Sequence, residues 1–210
     1  MTREQYIKHP ATSASRIKRF YTGDISYAQT ALDAGAAFHY QLLEQPFVNM
    51  PPPVQNVYTA INELPLLAQL FINSEKEYIK LGSVNVDGVE REAKGMFDLC
   101  WLSEGIIADV KTTSAATIQA FARDMIKHLN HVQAVWYSSL MGFDPALFFY
   151  IGIPPKVKQT GRFTDLYLYR HKPEEIEHAK QLISKYFQSL WKSKQHSNNY
   201  MIGMQTIIIG

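Results

Sequence analysis

Hydrophobic positions in the first third of the chain recur at helical spacing. Serine and threonine residues at 12–15 precede a short pattern at 16–20, which suits a capped helix. A longer helix is predicted over residues 26–45, where small and apolar residues fall on one face. Residues 54–72 continue the helical pattern, and Pro65 predicts a kink or a division into two segments.

The middle of the chain changes to the alternation of apolar and polar residues that is typical of strands. Residues 77–86 alternate, the Asp-Gly pair at 87–88 is a strong hairpin signal, and a return strand runs over 89–102. A turn at 103–105 leads into a third strand at 106–111. These three strands predict an antiparallel meander.

The last third mixes helices with short strands. Residues 114–141 predict one long helix or two consecutive ones, and the apolar run at 146–151 suits a strand buried on both faces. Residues 166–169 predict a further strand, and a final amphipathic helix begins at Pro173. Helices, three strands, a helix, one or two strands and a helix predict a mixed α/β domain.

Composition narrows the picture without pointing to a function. The 210 residues fit one domain, and 46% hydrophobic with 19% charged residues exclude a disordered chain. The single cysteine, Cys100, excludes an internal disulfide and a four-cysteine zinc or iron–sulfur site. A net charge of +2 is too weakly basic to indicate nucleic acid by itself. We expect no signal peptide, no membrane span and an intracellular protein.

Candidate chemistry lies on the predicted meander. Strand alternation places Asp109 and Lys111 on one face of the third strand. Asp98 joins them only if the register pairs it with one of the two. A simple three-residue loop at 103–105 gives the wrong parity, whereas a bulge at Gly105 restores the right one. Spacing alone therefore leaves the position of Asp98 open.

Alternation makes one further assignment on these strands. Phe97, Leu99 and Trp101 are expected on one face, opposite Asp98. Two carboxylates close together repel each other, and a divalent cation such as Mg²⁺ or Mn²⁺ between them removes that repulsion. The alternative is a buried Asp–Lys salt bridge with one solvated Asp, which the spacing does not exclude.

Four ordered motifs carry a family resemblance. The segments GMFD at 95–98 and IADVKTT at 107–113 resemble the signature of the PD-(D/E)XK nuclease superfamily, most closely its RecE/exonuclease VIII branch. GAAFHYQLLE at 35–44 is similar to the histidine-bearing helix of that branch, HVQAVWY at 131–137 to its H-x-Q-x-x-x-Y helix, and TSAS at 12–15 to its serine-rich helix start. The sequence departs from the pattern at Phe97, where the superfamily's name has proline, and at Gln41.

The resemblance implies a role for each matching residue. The metal ligands would be His39, Asp98, Asp109 and the backbone carbonyl of Val110. The catalytic residues would be Lys111 as the catalytic lysine, Asp98, Asp109, and Gln133 and Tyr137 over the active site. Spacing of four residues independently places Gln133 and Tyr137 on one helix face.

Two groups of basic residues offer a path for DNA. One lies near the N-terminus and comprises Arg16, Lys18 and Arg19. The other is expected in a loop with Gly161 and comprises Lys156, Lys158 and Arg162. Such residues can contact backbone phosphates, or they can be ordinary solvated surface.

The resemblance implies a restriction-endonuclease-like α/β fold, with a mixed sheet flanked by helices. Residues 1–210 would form a single nuclease domain. Its helical N-terminal part, 1–75, would contribute His39, its core would span 76–192, and 193–210 would form a tail.

The implied function is a Mg²⁺-dependent 5′-to-3′ exonuclease on double-stranded DNA, with Mn²⁺ as a substitute, that makes single-stranded tails for recombination. The implied partners are DNA ends, a single-strand annealing protein and further copies in a ring. The implied location is the cytoplasm of a bacterium or a phage-infected cell. A structure-specific endonuclease and a non-catalytic DNA-binding or assembly module are the alternatives.

Overall fold

Five strands form one mixed sheet in the computed structural model, which describes residues 1–23 and 29–207, without the side chains of 29, 31, 32 and 194–207. The strands are β1 (Glu75–Val86), β2 (Val89–Trp101), β3 (Ile106–Thr112), β4 (Phe148–Ile153) and β5 (Tyr167–Tyr169). They lie in chain order across the sheet. The β3–β4 pair is parallel, and the other three pairs are antiparallel.

Helices cover both faces of this sheet. The helices within the described residues are α1 (Arg3–Lys8), α2 (Ala14–Thr22), α3 (Gln29–Leu43), α4 (Pro52–Asn62), α5 (Pro65–Asn73), α6 (Ile118–Lys127), α7 (Asn130–Met141), α8 (Pro155–Thr160) and α9 (Pro173–Ile207). The helical prediction for 26–45 is confirmed from Gln29 to Leu43, the helix ends two residues earlier than predicted, and its start at 26–28 lies outside the described residues. Among the helices of the described ranges, none combines the length and apolarity that crossing a membrane needs.

Two predicted divisions within helical stretches are present. Pro65 starts α5, so the stretch at 54–72 consists of two helices. Leu129 has a left-handed backbone with φ 51°, and it separates α6 from α7. The prediction of a loop around Gly161 is wrong: α8 carries Lys156 and Lys158, and Gly161 ends it with φ 65°. Pro155 stands in the first turn of α8, where proline needs no N–H donor.

The hydrophobic core has two parts, one on each face of the sheet. The part on the α7 side is formed by α2, α6, α7 and α9, and it includes Trp136 and Tyr150. The part on the α4 side is formed by α3, α4, α5 and α8, and it includes Ile61 and Ile151. Neighbouring residues of β4 enter opposite parts, which confirms a strand buried on both faces.

The register between β2 and β3 determines which residue of β3 lies opposite Asp98. Leu99 pairs with Ala108 and Trp101 with Ile106, so the loop spans the four residues 102–105. Gly105 adopts φ 66°, which favours glycine. Extending the same register by one residue sets Asp98 opposite Asp109. The acids of the two strands therefore lie across from each other.

The prediction that Phe97 and Leu99 share a face is wrong. Phe97 lies in the core on the α7 side, whereas Leu99 lies in the core on the α4 side. The β1–β2 ladder pairs Tyr78 with Phe97 and Lys76 with Leu99, and it passes over the intervening positions, Glu77 and Asp98. Glu77 has a left-handed backbone with φ 49°. The irregular backbone at this position interrupts the alternation on both strands.

Candidate metal centre

A cleft of about 660 Å³ opens where the N-terminal helices meet the sheet. Its walls come from α1, α2, α3, the three strands β1 to β3, and the region of α6 and α7. His39, Asp98 and Lys111 line it. Residues 1–75 and the sheet therefore both contribute to it.

Three of the lining residues form a group that can hold a metal ion. His39, Glu77 and Asp98 each offer one ligand atom, and these atoms all lie within 4.8 Å of one another. His39 Nδ1 is 3.4 Å from Asp98 Oδ2, and the two side chains are only 24% and 12% exposed. One imidazole nitrogen and two carboxylates match the donors that divalent cations such as Mg²⁺, Mn²⁺ or Zn²⁺ accept.

The electrostatics of the metal group fit a cation as well. Burial, followed by the negative charge of Asp109, raises the pKa of Asp98 well above its ordinary range. Burial also raises the pKa of Glu77. Burial lowers the pKa of His39, which favours the neutral imidazole that metals bind. A divalent cation would offset the cost of two poorly solvated carboxylates, so the residues present fit one.

Glu77 belongs to this group and stands at an irregular point of β1, where its backbone is left-handed with φ 49°. A left-handed conformation is unfavourable for residues other than glycine, asparagine and aspartate, and it is kept where the surroundings or a function require it. Glu77 is the strand partner of Asp98 by register, yet neither residue takes part in the ladder. Asp98 instead accepts a hydrogen bond at Oδ2 from the Val110 N–H, at 2.7 Å.

Asp109 and Lys111 form a second group beside the metal group. Lys111 Nζ lies 2.6 Å from Asp109 Oδ2. The amide of Gln133 on α7 donates to Asp109 Oδ1 at 2.5 Å. Asp109 is buried, with a side chain only 6% exposed. Its charge is therefore met by an ammonium group and an amide of the protein itself.

Gln133 and Tyr137 differ in their positions, although they share one face of α7. Gln133 reaches the site through its hydrogen bond to Asp109. Tyr137 is buried in the core, where its ring centroid lies 4.7 Å from that of Phe97. The described residues that line the cleft include neither of them. They support the site from the core side of the sheet.

The side chains of the basic residues near the N-terminus do not all face the cleft. Lys18 lines the cleft, and its Nζ donates to Asn130 Oδ1 at 2.7 Å. Arg16 is exposed and donates to the Pro10 carbonyl at 3.3 Å. Arg19 is exposed as well and follows Lys18 on α2. Only one of the three therefore reaches the cleft.

The second basic group lies on and after α8. Lys156 forms an ion pair with Asp165 at 2.7 Å. Lys158 Nζ lies 4.4 Å from the ring centre of Phe38, the residue before His39. Arg162 is exposed just beyond the end of α8. The lining of the cleft, as far as the chain is described, includes none of the three basic residues.

Sequence reasoning missed Glu77, Asn130 and Arg3, which also lines the cleft. For Glu77 a signal was available. The Asp-Gly turn sets Val86 opposite Val89, and counting outward from this pair makes Glu77 the partner of Asp98. For Asn130 and Arg3 the sequence carries no comparable signal, because their positions depend on how helices pack.

Comparison with known proteins finds distant structural similarity. No family model matches the chain, and no curated protein matches it. The crystal structure of SSO0001 is similar with a TM-score of 0.44 at 16% identity, covering 88% of this chain and 80% of that one. The crystal structure of a phage-related exonuclease from Haemophilus somnus 129PT is similar with a TM-score of 0.42 at 12% identity, covering 91% and 99%. Similarity at this low level does not establish a shared fold or function.

Proposed function

We propose that the chain is a metal-dependent deoxyribonuclease that hydrolyses phosphodiester bonds in DNA, as its motifs of the PD-(D/E)XK type imply. One observation carries the proposal: His39, Glu77 and Asp98 present ligand atoms within 4.8 Å of one another in a cleft that Lys111 also lines. An Asp–Lys salt bridge alone would explain Asp109 and Lys111. It would not explain a histidine and two further acids at the same place.

The metal is proposed to be Mg²⁺, with Mn²⁺ as a substitute, bound by His39, Glu77 and Asp98. Such an ion polarises a phosphate and lowers the pKa of a bound water. Asp109 and the Val110 carbonyl are proposed as the further ligands that the resemblance implies. Asp109 already pairs with Lys111 at 2.6 Å, so we expect it to contribute less binding free energy.

The neighbouring residues would prepare the reaction. Lys111 is the group proposed to donate hydrogen bonds to the scissile phosphate as negative charge develops there. Asp109 holds the Lys111 ammonium in place, and Gln133 fixes Asp109 from α7. Tyr137 packs against Phe97, which precedes Asp98 in β2.

The finer activity that we propose rests on the resemblance. The chain would be a 5′-to-3′ exonuclease that acts on double-stranded DNA ends and leaves single-stranded tails for recombination. A single-strand annealing protein would be its partner, further copies of the chain would complete a ring, and a bacterial or phage-infected cytoplasm would be its location.

The deciding experiment is digestion of end-labelled linear DNA and of covalently closed circular DNA with Mg²⁺. We expect the wild-type chain to degrade linear DNA and to spare the circle, because an exonuclease needs an end. Lys111→Ala and Asp109→Ala should lose most of this activity. Cleavage of the circle would indicate an endonuclease of the same chemistry.

Two outcomes would contradict the proposal itself. Undiminished cleavage by both variants would show that the hydrolysis takes place elsewhere. Absence of cleavage by the wild-type chain with Mg²⁺ and with Mn²⁺, despite DNA binding, would favour a non-catalytic DNA-binding module.

A further inference from the structure

Lys18 is a second lysine that lines the cleft, together with Lys111. It belongs to α2, whose neighbouring residue Ile17 is fully buried against the core. The Lys18 side chain crosses to α7 and donates from Nζ to the Asn130 side-chain oxygen at 2.7 Å. Both residues line the same cleft as Lys111.

The surroundings of Lys18 are unfavourable for a positive charge. Burial, followed by the charge of Lys111, lowers the pKa of Lys18 to about 7, and Asp109 opposes this with a smaller effect. The partner Asn130 offers a neutral amide oxygen, which accepts a hydrogen bond but does not neutralise an ammonium group. A lysine in such a place is stabilised when an anion enters the cleft.

The anion that fits this arrangement is a phosphate. An ammonium group is a compact charge that binds phosphate oxygens, and it does so without reading the base. The adjoining wall of the cleft is polar, with hydroxyl groups from Thr112, Thr113 and Ser114. The acidic metal group lies in the same cleft, so an anion at Lys18 would be held close to the reacting centre.

We propose that Lys18 binds a backbone phosphate of the nucleic-acid strand that enters the cleft, with Asn130 holding its side chain in position. The identity of the ligand rests on the proposed function. The role is confined to Lys18 among the basic residues of α2, because neither Arg16 nor Arg19 lines the cleft. Binding through this residue should not depend on base sequence.

The test is the salt dependence of binding to a labelled oligonucleotide, measured by fluorescence anisotropy with EDTA and again with Ca²⁺. Loss of one phosphate contact should lower the slope of log Kd against log salt concentration by about 1 in Lys18→Gln. Affinity at low salt should fall by about tenfold, as for a charged hydrogen bond. Lys18→Arg should keep most of the wild-type slope and most of the wild-type affinity. Arg16→Gln is the matched control, since it removes the same charge from the same helix.

Asn130→Asp gives a second route that leaves Lys18 in place. The new carboxylate would pair with the Lys18 ammonium, so binding should weaken and the slope should fall as in Lys18→Gln. This variant decides the matter if Lys18→Gln does not fold. An unchanged slope in the variant that folds, an equal change in Arg16→Gln, or no binding by the wild-type chain in either buffer would overturn the proposal.

These results are separable from the nuclease assay, because binding in EDTA is measured without the metal that the proposed cleavage needs. A wild-type chain that binds DNA through Lys18 but never cleaves it contradicts the proposed function alone. A chain that cleaves DNA while Lys18→Gln keeps the wild-type slope contradicts the role of Lys18 alone.

Discussion

The two acidic groups of the site differ in how their negative charges are balanced. Asp109 has a lysine 2.6 Å away and an amide donor 2.5 Å away, both supplied by the protein. Glu77 and Asp98 have a histidine as their nearest partner in the metal group, and burial raises the pKa of both carboxyl groups. Asp109 is balanced within its own group. At Glu77 and Asp98, burial outweighs the opposing charges of Arg3 and Lys111, respectively. This second group is therefore short of positive charge.

This difference separates the roles that the two groups can have. A cation adds most stability where carboxylates are desolvated and lack a positive partner. We therefore expect the metal to depend mainly on His39, Glu77 and Asp98. The pair of Asp109 and Lys111 is expected to act mainly on the phosphate.

The largest expected effect comes from removing the nitrogen ligand. His39→Ala should reduce DNA cleavage by about 100-fold or more, since even residues outside the ligand set cost 10- to 100-fold in other metal sites. His128→Ala is the control, because His128 lines the same cleft but stands outside the metal group. Equal losses in steady-state cleavage assays of the two variants would contradict a specific role of His39 as a metal ligand.

Next in size is the stabilisation of the folded chain by metal. A ligand at 100 times its Kd should raise the free energy of unfolding by about 2.7 kcal/mol. Thermal unfolding with and without Mn²⁺ should show this increase for the wild-type chain and little of it for Asp98→Asn. An undiminished increase in Asp98→Asn would place the metal elsewhere.

Without metal, comparison with Asp98→Asn should show how the stability of the wild-type chain depends on pH. Folding raises the pKa of Asp98, so the folded state holds its proton more tightly than the unfolded state does. Relative to Asp98→Asn, the wild-type chain should lose stability as pH rises from the ordinary carboxyl range through the raised pKa. Denaturant unfolding in EDTA across this range checks the sign. A wild-type chain that gains relative stability with rising pH would contradict it.

A smaller effect on stability is expected at Asp109, whose charge Lys111 balances. Gln133→Leu should lower the free energy of unfolding by about 1–3 kcal/mol, because a buried oxygen of Asp109 loses its donor. Gln119→Leu, at an exposed position of α6, is the control. Urea unfolding measures both, and metal affinity should stay unchanged in both. Strong loss of Mn²⁺ binding in Gln133→Leu would mean that the two groups act as one.

The smallest expected change is a gain in stability. Glu77→Gly should raise the free energy of unfolding without metal by about 1 kcal/mol, since glycine adopts φ 49° at little cost. Metal binding should weaken at the same time. Glu92→Gly, at an exposed position within the β1–β2 ladder, should instead lower stability. A loss of stability in both variants would argue against strain at Glu77.

The sequence predicts the order of elements well because each has a local signal. Pro65 divides two helices, the Asp-Gly turn sets the first hairpin, and an apolar run marks β4. The third strand also follows simple alternation, with Ile107 in the core on the α7 side and Ala108 in the core on the α4 side.

The site is less predictable where backbone geometry and helix packing decide. Alternation fails at Phe97 because the chain is irregular at Glu77 and Asp98, and a left-handed glutamate has no signal in the sequence. The sequence also cannot show which of Arg16 and Lys18 faces the cleft, because that depends on which face of α2 is buried. His39 is predicted as a ligand only through the motif resemblance, because the chemistry of the sequence alone does not select it.

The central claim is that the metal depends on the charge-deficient group rather than on the neutralised one. Isothermal titration of Mn²⁺ into the wild-type chain, Asp98→Asn and Asp109→Asn tests it without any DNA. We expect Asp98→Asn to weaken binding by more than about 100-fold, beyond the effect of residues outside the ligand set. Asp109→Asn should remain within about tenfold of the wild type, a difference of about 1.4 kcal/mol. Loss of binding in Asp109→Asn as large as that in Asp98→Asn would contradict the claim.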